Sequence, residues 1–187
     1  MNSYQITEWC HHFIRLQVRP GDFCIDATAG NGHDTLLLSQ LAGPTGRVLA
    51  FDIQEQALAS TKKRLEQAGI GDRAELILDG HEKMAEYAGE ETVSCIVFNF
   101  GYLPGGDHGL ATRAETSVAA VKAGLRLLKK GGLMSLCIYS GGDTGYEERS
   151  ALLNCLKNLD SGKYLVICCE YFNRENDPPL PVLIIKL

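Results

Sequence analysis

The stretch IDATAGNGHDT, residues 25–35, places Gly30 and Gly32 directly after a candidate strand. Glycines at this position permit a tight turn and a close approach of backbone to ligand, and the free N–H groups of a following helix can bind an anionic group. A dinucleotide-binding fingerprint has a third glycine where this chain has Thr35. The stretch therefore predicts a nucleotide-type cofactor at the end of the first strand, and it weighs against NAD.

Short apolar runs alternate with helical patterns along most of the chain. This alternation is typical of a parallel sheet with helices on both faces. The last two apolar runs are joined by the proline-rich segment NRENDPPLP, 173–181, which has no helical pattern and predicts an antiparallel pair. We expect an α/β, Rossmann-like fold with a seven-stranded, mostly parallel sheet and an antiparallel C-terminal hairpin. The strand runs are FCIDA, RVLAFD, AELIL, VSCIVFN, LMSLCIY, KYLVICCEYF and VLIIKL, and the helical patterns between them lie near 34–41, 55–68, 82–87, 115–130 and 146–159.

Length, charge and cysteine usage narrow the class of protein. The 187 residues predict a single domain over 1–187, with an amphipathic helix within 1–20 packed on it. The net charge of −5 argues against a protein that coats nucleic acid through bulk electrostatics. The seven cysteines mostly lie inside apolar, strand-like runs and form no C-x-x-C pair, so we expect small core residues of a reducing compartment and no disulfide or metal site. With no apolar run as long as a membrane span and no leader pattern, we expect a cytoplasmic protein without a membrane partner.

Three acids end three consecutive strand runs: Asp26, Asp52 and Asp79. A single acid at such a position is often a helix N-cap, but ligands in open α/β sheets bind along the edge where the strands end. Asp-x-x-x-Gly-x-Gly resembles the first motif of class I S-adenosylmethionine-dependent methyltransferases. That resemblance assigns Asp26 to the cofactor's ammonium group, Asp52 to its ribose hydroxyls and Asp79 to its adenine. The residues expected around S-adenosylmethionine are Asp26, Thr28, Ala29, Gly30, Asn31, Gly32, His33, Asp34, Asp52, Ile53, Gln54, Asp79, Gly80, His81 and Asn99.

The fourth strand run leads into an Asn-x-x-Tyr arrangement, formed by Asn99 and Tyr102. It is similar to the Asn-Pro-Pro-Tyr signature of methyltransferases that act on amino nitrogens. In that chemistry the Asn carbonyl accepts from the substrate N–H and the aromatic ring stacks on the base, so that positioning provides most of the catalysis. Asp107 and His108 either assist removal of the amine proton or are surface residues of a loop. The residues expected at the acceptor substrate are Tyr102, Leu103, Pro104, Gly105, Gly106, Arg113 and Tyr139.

Six segments together resemble one methyltransferase family: DATAGNGHDT, FDIQ, DGH, NFGYLPGGDH, YSGGDTGYEE and NRENDPPLPVLIIKL. This is the family long labelled "putative rRNA methylase", which includes the MnmM-type (YtqB-like) bacterial enzymes. The resemblance covers nearly the whole chain, and it implies N-methylation of the 5-aminomethyl group on the wobble uridine of certain tRNAs. One departure is Phe100, where an aliphatic residue is expected in the family.

The implied partner is a tRNA anticodon loop, which an acidic chain could contact over a small footprint with the target base splayed out. Arg113, Lys122 and Arg149 are near enough to the strand ends to supply phosphate contacts, and a homodimer could extend this surface. His11 and His12, on the first helix, are assigned no role. Two alternatives stay open: an N-methyltransferase of rRNA or of a small-molecule amine, and a catalytically inactive RNA-binding protein of the same fold.

Overall fold

The computed structural model describes residues 5–101, 112–140, 145–175 and 177–187. Within them a single sheet is built from seven strands, and a short 3-10 helix, His81–Glu86, precedes the fourth strand. The strands are β1 (Phe23–Asp26), β2 (Arg47–Asp52), β3 (Glu75–Leu78), β4 (Val93–Phe100), β5 (Leu128–Ile138), β6 (Tyr164–Cys168) and β7 (Leu180–Lys186). The α-helices are α1 (Ile6–Gln17), α2 (His33–Ala42), α3 (Glu55–Gln67), α4 (Ala114–Leu127) and α5 (Gly145–Lys157).

The sheet has the strand order β3-β2-β1-β4-β5-β7-β6. Strands β1 to β5 pair in parallel, whereas β7 is antiparallel to both β5 and β6. The predicted fold class is confirmed, including the antiparallel C-terminal pair. The strand order reverses between β1 and β4, and in open α/β sheets such a reversal leaves a crevice at the carboxyl ends of the strands.

Two layers of helices cover the sheet. Helices α1 and α2 pack on one face, where Ile14 and Leu38 are fully buried against the strands. Helix α4, the 3-10 helix and α5 lie on the other face, where Phe51, Phe98 and Phe100 are fully buried. Strand β4 is buried on both faces, which explains why its sequence is a continuous apolar run. In the described part of the chain, no helix has both the length and the apolar character that a membrane span requires.

The predicted helix 115–130 is wrong at its end, because α4 stops at Leu127 and β5 begins at Leu128. Leu128 is fully buried and pairs with Val93, and the β4–β5 register then shifts before Cys95. The lysines that follow look helical in the sequence. In the structure they belong to the strand, where Lys129 Nζ donates to Asp22 Oδ1 at 2.9 Å.

Candidate active site

A cavity of about 560 Å³ lies at the carboxyl edge of the sheet, beside the reversal between β1 and β4. This volume is within the usual range for a site that binds a drug-sized molecule or a cofactor. Its walls come from the turn after β1, the ends of β2, β3 and β4, and the start of α4. The lining residues are Ala27, Thr28, Ala29, Gly30, Asn31, His33, Asp34, Asp52, Ile53, Gln54, Asp79, Gly80, His81, Glu82, Asn99, Gly101, Thr112, Arg113, Thr116 and Tyr139.

Asp52 ties the glycine turn to the end of β2. Its Oδ2 accepts from the backbone N–H of Gly30 at 2.9 Å, and its Oδ1 accepts from that of Gln54 at 3.0 Å. From α3, Arg64 donates to the carbonyl of Asn31 at 2.6 Å. The turn is therefore held from two sides by protein groups, which preorganises the backbone that faces the cavity.

Asp26 and Gly32 were predicted at the cofactor, but neither lines the cavity. Asp26 is fully buried, and its carboxylate accepts from the Thr35 hydroxyl at 2.6 Å and the Thr28 N–H at 3.2 Å. Burial, reinforced by the nearby Asp34 carboxylate, raises the pKa of Asp26 to about 7. The structure thus places Asp26 within the turn, and its contact with the ammonium group stays a prediction. Asp34, at the start of α2, lines the cavity beside this turn, as Asp52 does.

Gly32 allows α2 to approach α3. It has a φ of +77°, and a Cβ added there would lie 2.7 Å from the Cα of Thr61. Gly69, which follows α3, also has a positive φ, +71°, in a turn that Ile70 closes by donating its N–H to the Leu65 carbonyl at 3.0 Å, but an added Cβ would meet nothing within 4 Å. Gly69 is therefore a control that has a left-handed φ without the collision.

We expect Gly32→Ala to lower the free energy of unfolding by about 2 to 4 kcal/mol, since left-handed strain adds to overpacking, whereas Gly69→Ala should cost about 1 kcal/mol. Urea denaturation of both variants measures the difference. Equal losses would show that the contact with Thr61 imposes no constraint.

Asp79 and His81 form the wall on the β3 side. Asp79 accepts from Lys83 Nζ at 2.6 Å, from its neighbour Gly80 N–H at 2.8 Å and from the Tyr87 hydroxyl at 3.1 Å. The bond from Lys83 lowers the pKa of the Asp79 carboxyl, which is therefore ionised at neutral pH. His81 is buried, and burial lowers its pKa, which favours the neutral imidazole.

The Nε2 atom of His81 is buried and has no hydrogen-bond partner within the described residues. An unpaired buried polar atom is costly, and His81 itself lines the cavity. Ile53 also lines the cavity, with an exposed apolar side chain. Acids, exposed backbone and an apolar surface in one cavity fit a nucleoside that also carries polar groups.

Asn99 stands where β4 ends, opposite the glycine turn. Its backbone N–H donates to Thr28 Oγ1 at 2.8 Å, and its side-chain Nδ2 donates to Asp34 Oδ2 at 2.7 Å. An ionised carboxylate accepts hydrogen bonds but cannot donate them. The Asn99 side-chain atom that faces Asp34 is therefore the amide nitrogen. The carbonyl oxygen of Asn99 is then the atom able to accept from a substrate N–H, as the Asn-x-x-Tyr pattern requires.

Among the predicted substrate residues, Arg113 and Tyr139 line the cavity. Burial raises the pKa of Tyr139 above its ordinary value, so its hydroxyl keeps its proton. Seven predicted residues lie outside the described part of the chain: Tyr102, Leu103, Pro104, Gly105, Gly106, Asp107 and His108.

The sequence did not predict that hydrogen bonds join Gly101 to Thr112, the residues on either side of 102–111; we call this link the pin. The backbone N–H of Gly101 donates to Thr112 Oγ1 at 2.9 Å, and the Thr112 N–H donates to the Gly101 carbonyl at 3.1 Å. Behind them, the buried Glu148 accepts from the hydroxyls of Thr112 at 2.8 Å and Ser117 at 2.5 Å. Burial raises the pKa of Glu148. An acid on an apolar helix face is the sequence signal that could have revealed the role of Glu148.

Lining residues that the sequence did not suggest are Ala27, Glu82, Gly101, Thr112 and Thr116.

Comparison with known proteins identifies the class to which this site belongs. The model of the family described as "Putative rRNA methylase" matches residues 48–185. The chain belongs to this family. A chloroplastic tRNA (mnm(5)s(2)U34)-methyltransferase of Arabidopsis thaliana is 39% identical over 190 residues, which cover 95% of this chain and 67% of that protein.

Two solved structures superpose along nearly the whole chain. The crystal structure of a "putative rRNA-methylase" from Clostridium thermocellum is 42% identical, with a TM-score of 0.96 and full coverage of both chains. A methyltransferase-like protein of Streptococcus mutans, solved in complex with SAH, is 38% identical, with a TM-score of 0.89 and 99% coverage of each chain. The predicted enzyme class, an S-adenosylmethionine-dependent methyltransferase, is confirmed.

Proposed function

We propose that this family member N-methylates the 5-aminomethyl group of wobble uridine in tRNA. The observation that carries the proposal is the orientation of Asn99, whose Nδ2 is committed to Asp34 so that its carbonyl can accept from an amine. The name of the Arabidopsis relative supports the choice of acceptor. An amine is an acceptor that this arrangement suits, because its N–H can donate to the Asn99 carbonyl while its lone pair stays free to attack.

Different cavity residues would bind different parts of the cofactor. Asp52 would accept from the two ribose hydroxyls, Asp79 from the adenine amino group, and the turn at Gly30 would lie along the methionine part. His81 would complete the wall of this site on the β3 side. When bound, S-adenosylmethionine supplies a methyl group that is already activated by the sulfonium.

The protein's own contribution is to orient the amine for attack and to prevent other orientations of it. Asn99 would hold the amine from the β4 side, while Arg113 and Tyr139 border the cavity near it. An alkyl amine is largely protonated at neutral pH, so it must lose a proton before it attacks. Asp107 and His108 remain our candidates to accept or relay that proton.

RNA binding by a chain of net charge −5 requires local rather than general attraction. We propose a small footprint on the anticodon loop with the target base splayed into the cavity. Arg113 at the cavity is the first candidate for a phosphate contact. Arg149, which donates to Ser140 Oγ at 2.5 Å, and Lys122 on α4 are the others. We place this activity in the cytoplasm and include a homodimer as a way to enlarge the surface.

The decisive experiment incubates the protein with S-adenosylmethionine and tRNA that carries 5-aminomethyluridine at the wobble position, followed by mass spectrometry of the nucleosides. We expect the wobble nucleoside to gain one methyl group, and matched tRNA with an unmodified wobble uridine to remain unchanged. An unchanged wobble nucleoside would overturn the tRNA assignment. Methylation of rRNA or of a free amine in parallel reactions would favour the alternative acceptors, and absence of SAH binding by calorimetry would favour an inactive RNA-binding protein.

A further inference from the structure

Helix α1 reaches the cavity wall through His11. The Nε2 atom of His11 is hydrogen-bonded to Asp34 Oδ1, and its Nδ1 lies 3.6 Å from Glu8 Oε1. The other oxygen of Asp34 accepts from Asn99 Nδ2 at 2.7 Å. His11, Asp34 and Asn99 therefore form a continuous chain from α1 through α2 to the end of β4.

The hydrogen bonds that join His11, Asp34 and Asn99 are shielded from solvent, so they hold these side chains in place more strongly. The side chains of His11 and Asp34 are only 12% and 13% exposed. Both ring nitrogens of His11 face carboxylates, an arrangement that suits the imidazolium, which has two donors. Although burial opposes the charge, Asp34 and Glu8 more than compensate, and the pKa of His11 is raised. His11 does not line the cavity, so it acts only through Asp34.

We propose that His11 and Asp34 are positioning residues that fix the amide orientation of Asn99, an inference that rests on the proposed amine acceptor. An asparagine amide can turn over and exchange its oxygen and nitrogen, and only one orientation presents an acceptor to the substrate N–H. Asp34 selects this orientation because it accepts from Nδ2, and His11 holds Asp34 in place. Both residues lie before residues 48–185, which the family model matches. On this proposal α1 contributes to the active site through His11.

The test compares His11→Ala with His12→Ala. His12 is the next residue on α1; it is exposed, and its ring contacts are with Trp9 and Phe13. On the aminomethylated tRNA, we expect His11→Ala to lower kcat by about tenfold or more, with KM for S-adenosylmethionine within about twofold of wild type. His12→Ala should match the wild type. His11→Gln, whose amide can still donate to Asp34, should recover most of the loss.

A second readout does not depend on turnover. The side-chain NH₂ signal of Asn99, assigned through its absence in Asn99→Ala, should shift in the ¹⁵N spectrum of His11→Ala and stay in place in His12→Ala. An unmoved signal, or a kcat unaffected by His11→Ala, would overturn the inference even if the protein methylates tRNA. Conversely, an inactive wild type with a shifted Asn99 signal would reject the acceptor while upholding the positioning role. If His11→Ala fails to fold, the two measurements are made on His11→Gln instead. A kcat near that of wild type together with an unchanged Asn99 signal upholds the inference, and loss of either one overturns it.

Discussion

Asn99→Ala should lower kcat by about 100-fold or more while SAH affinity stays within about threefold of wild type. In the proposed function Asn99 offers its carbonyl to the acceptor amine, whereas the cofactor would have many other partners in the cavity. The hydrogen bond from the Asn99 backbone N–H to Thr28 survives the substitution, so the end of β4 keeps its place. Single-turnover kinetics and calorimetry with SAH measure the two quantities separately.

Asn99→Asp is the companion variant. It keeps the size of the side chain but loses the donor to Asp34 and adds a second carboxylate beside it, so its kcat should fall at least as far as that of Asn99→Ala. Full activity in Asn99→Ala would show that the acceptor is oriented by other groups. A parallel loss of SAH affinity would instead assign Asn99 to the cofactor.

Asp52→Ala is expected to weaken SAH binding by about 100-fold, which corresponds to about 2.7 kcal/mol. Two contributions combine: the carboxylate would no longer accept from the ribose hydroxyls, and the backbone N–H groups of Gly30 and Gln54 would lose their acceptor. Calorimetric titration with SAH gives the dissociation constant directly.

Two further variants separate charge from geometry in that result. Asp52→Asn keeps one acceptor oxygen and should lose about tenfold in affinity. Asp72→Ala removes an exposed acid outside the cavity and should bind SAH as the wild type does. If Asp52→Ala also bound as tightly as wild type, the ribose would have to be held elsewhere.

The sequence predicted the sheet well because both of its signals are local. Alternating apolar runs and helical periods mark parallel strands, and a proline-rich connection without a helix marks an antiparallel pair. The same logic placed Asp52, Asp79 and Asn99 at one edge, since strand ends in a parallel sheet converge there. The error at Leu128 arose because burial and pairing with β4 outweighed the helical pattern of the lysines.

Side-chain direction was harder to predict than position. Asp26 ends its strand as expected, yet its carboxylate faces Thr28 and Thr35 inside the turn, and no spacing rule reports that rotation. The role of His11 depends on Asp34, 23 residues further along the chain. A local signal did exist: His11 lies three residues before the buried Ile14, on the packed side of α1.

The pin between Gly101 and Thr112 has a consequence for how acceptor specificity could diverge. Its hydrogen bonds join the two ends directly, and Glu148 anchors them from behind. We expect that a substituted or lengthened sequence between Gly101 and Thr112 would therefore leave Asn99 and the cavity residues where they are. Exchange of the sequence 102–111 is therefore a route by which one methyl-donor scaffold could be adapted to different amines.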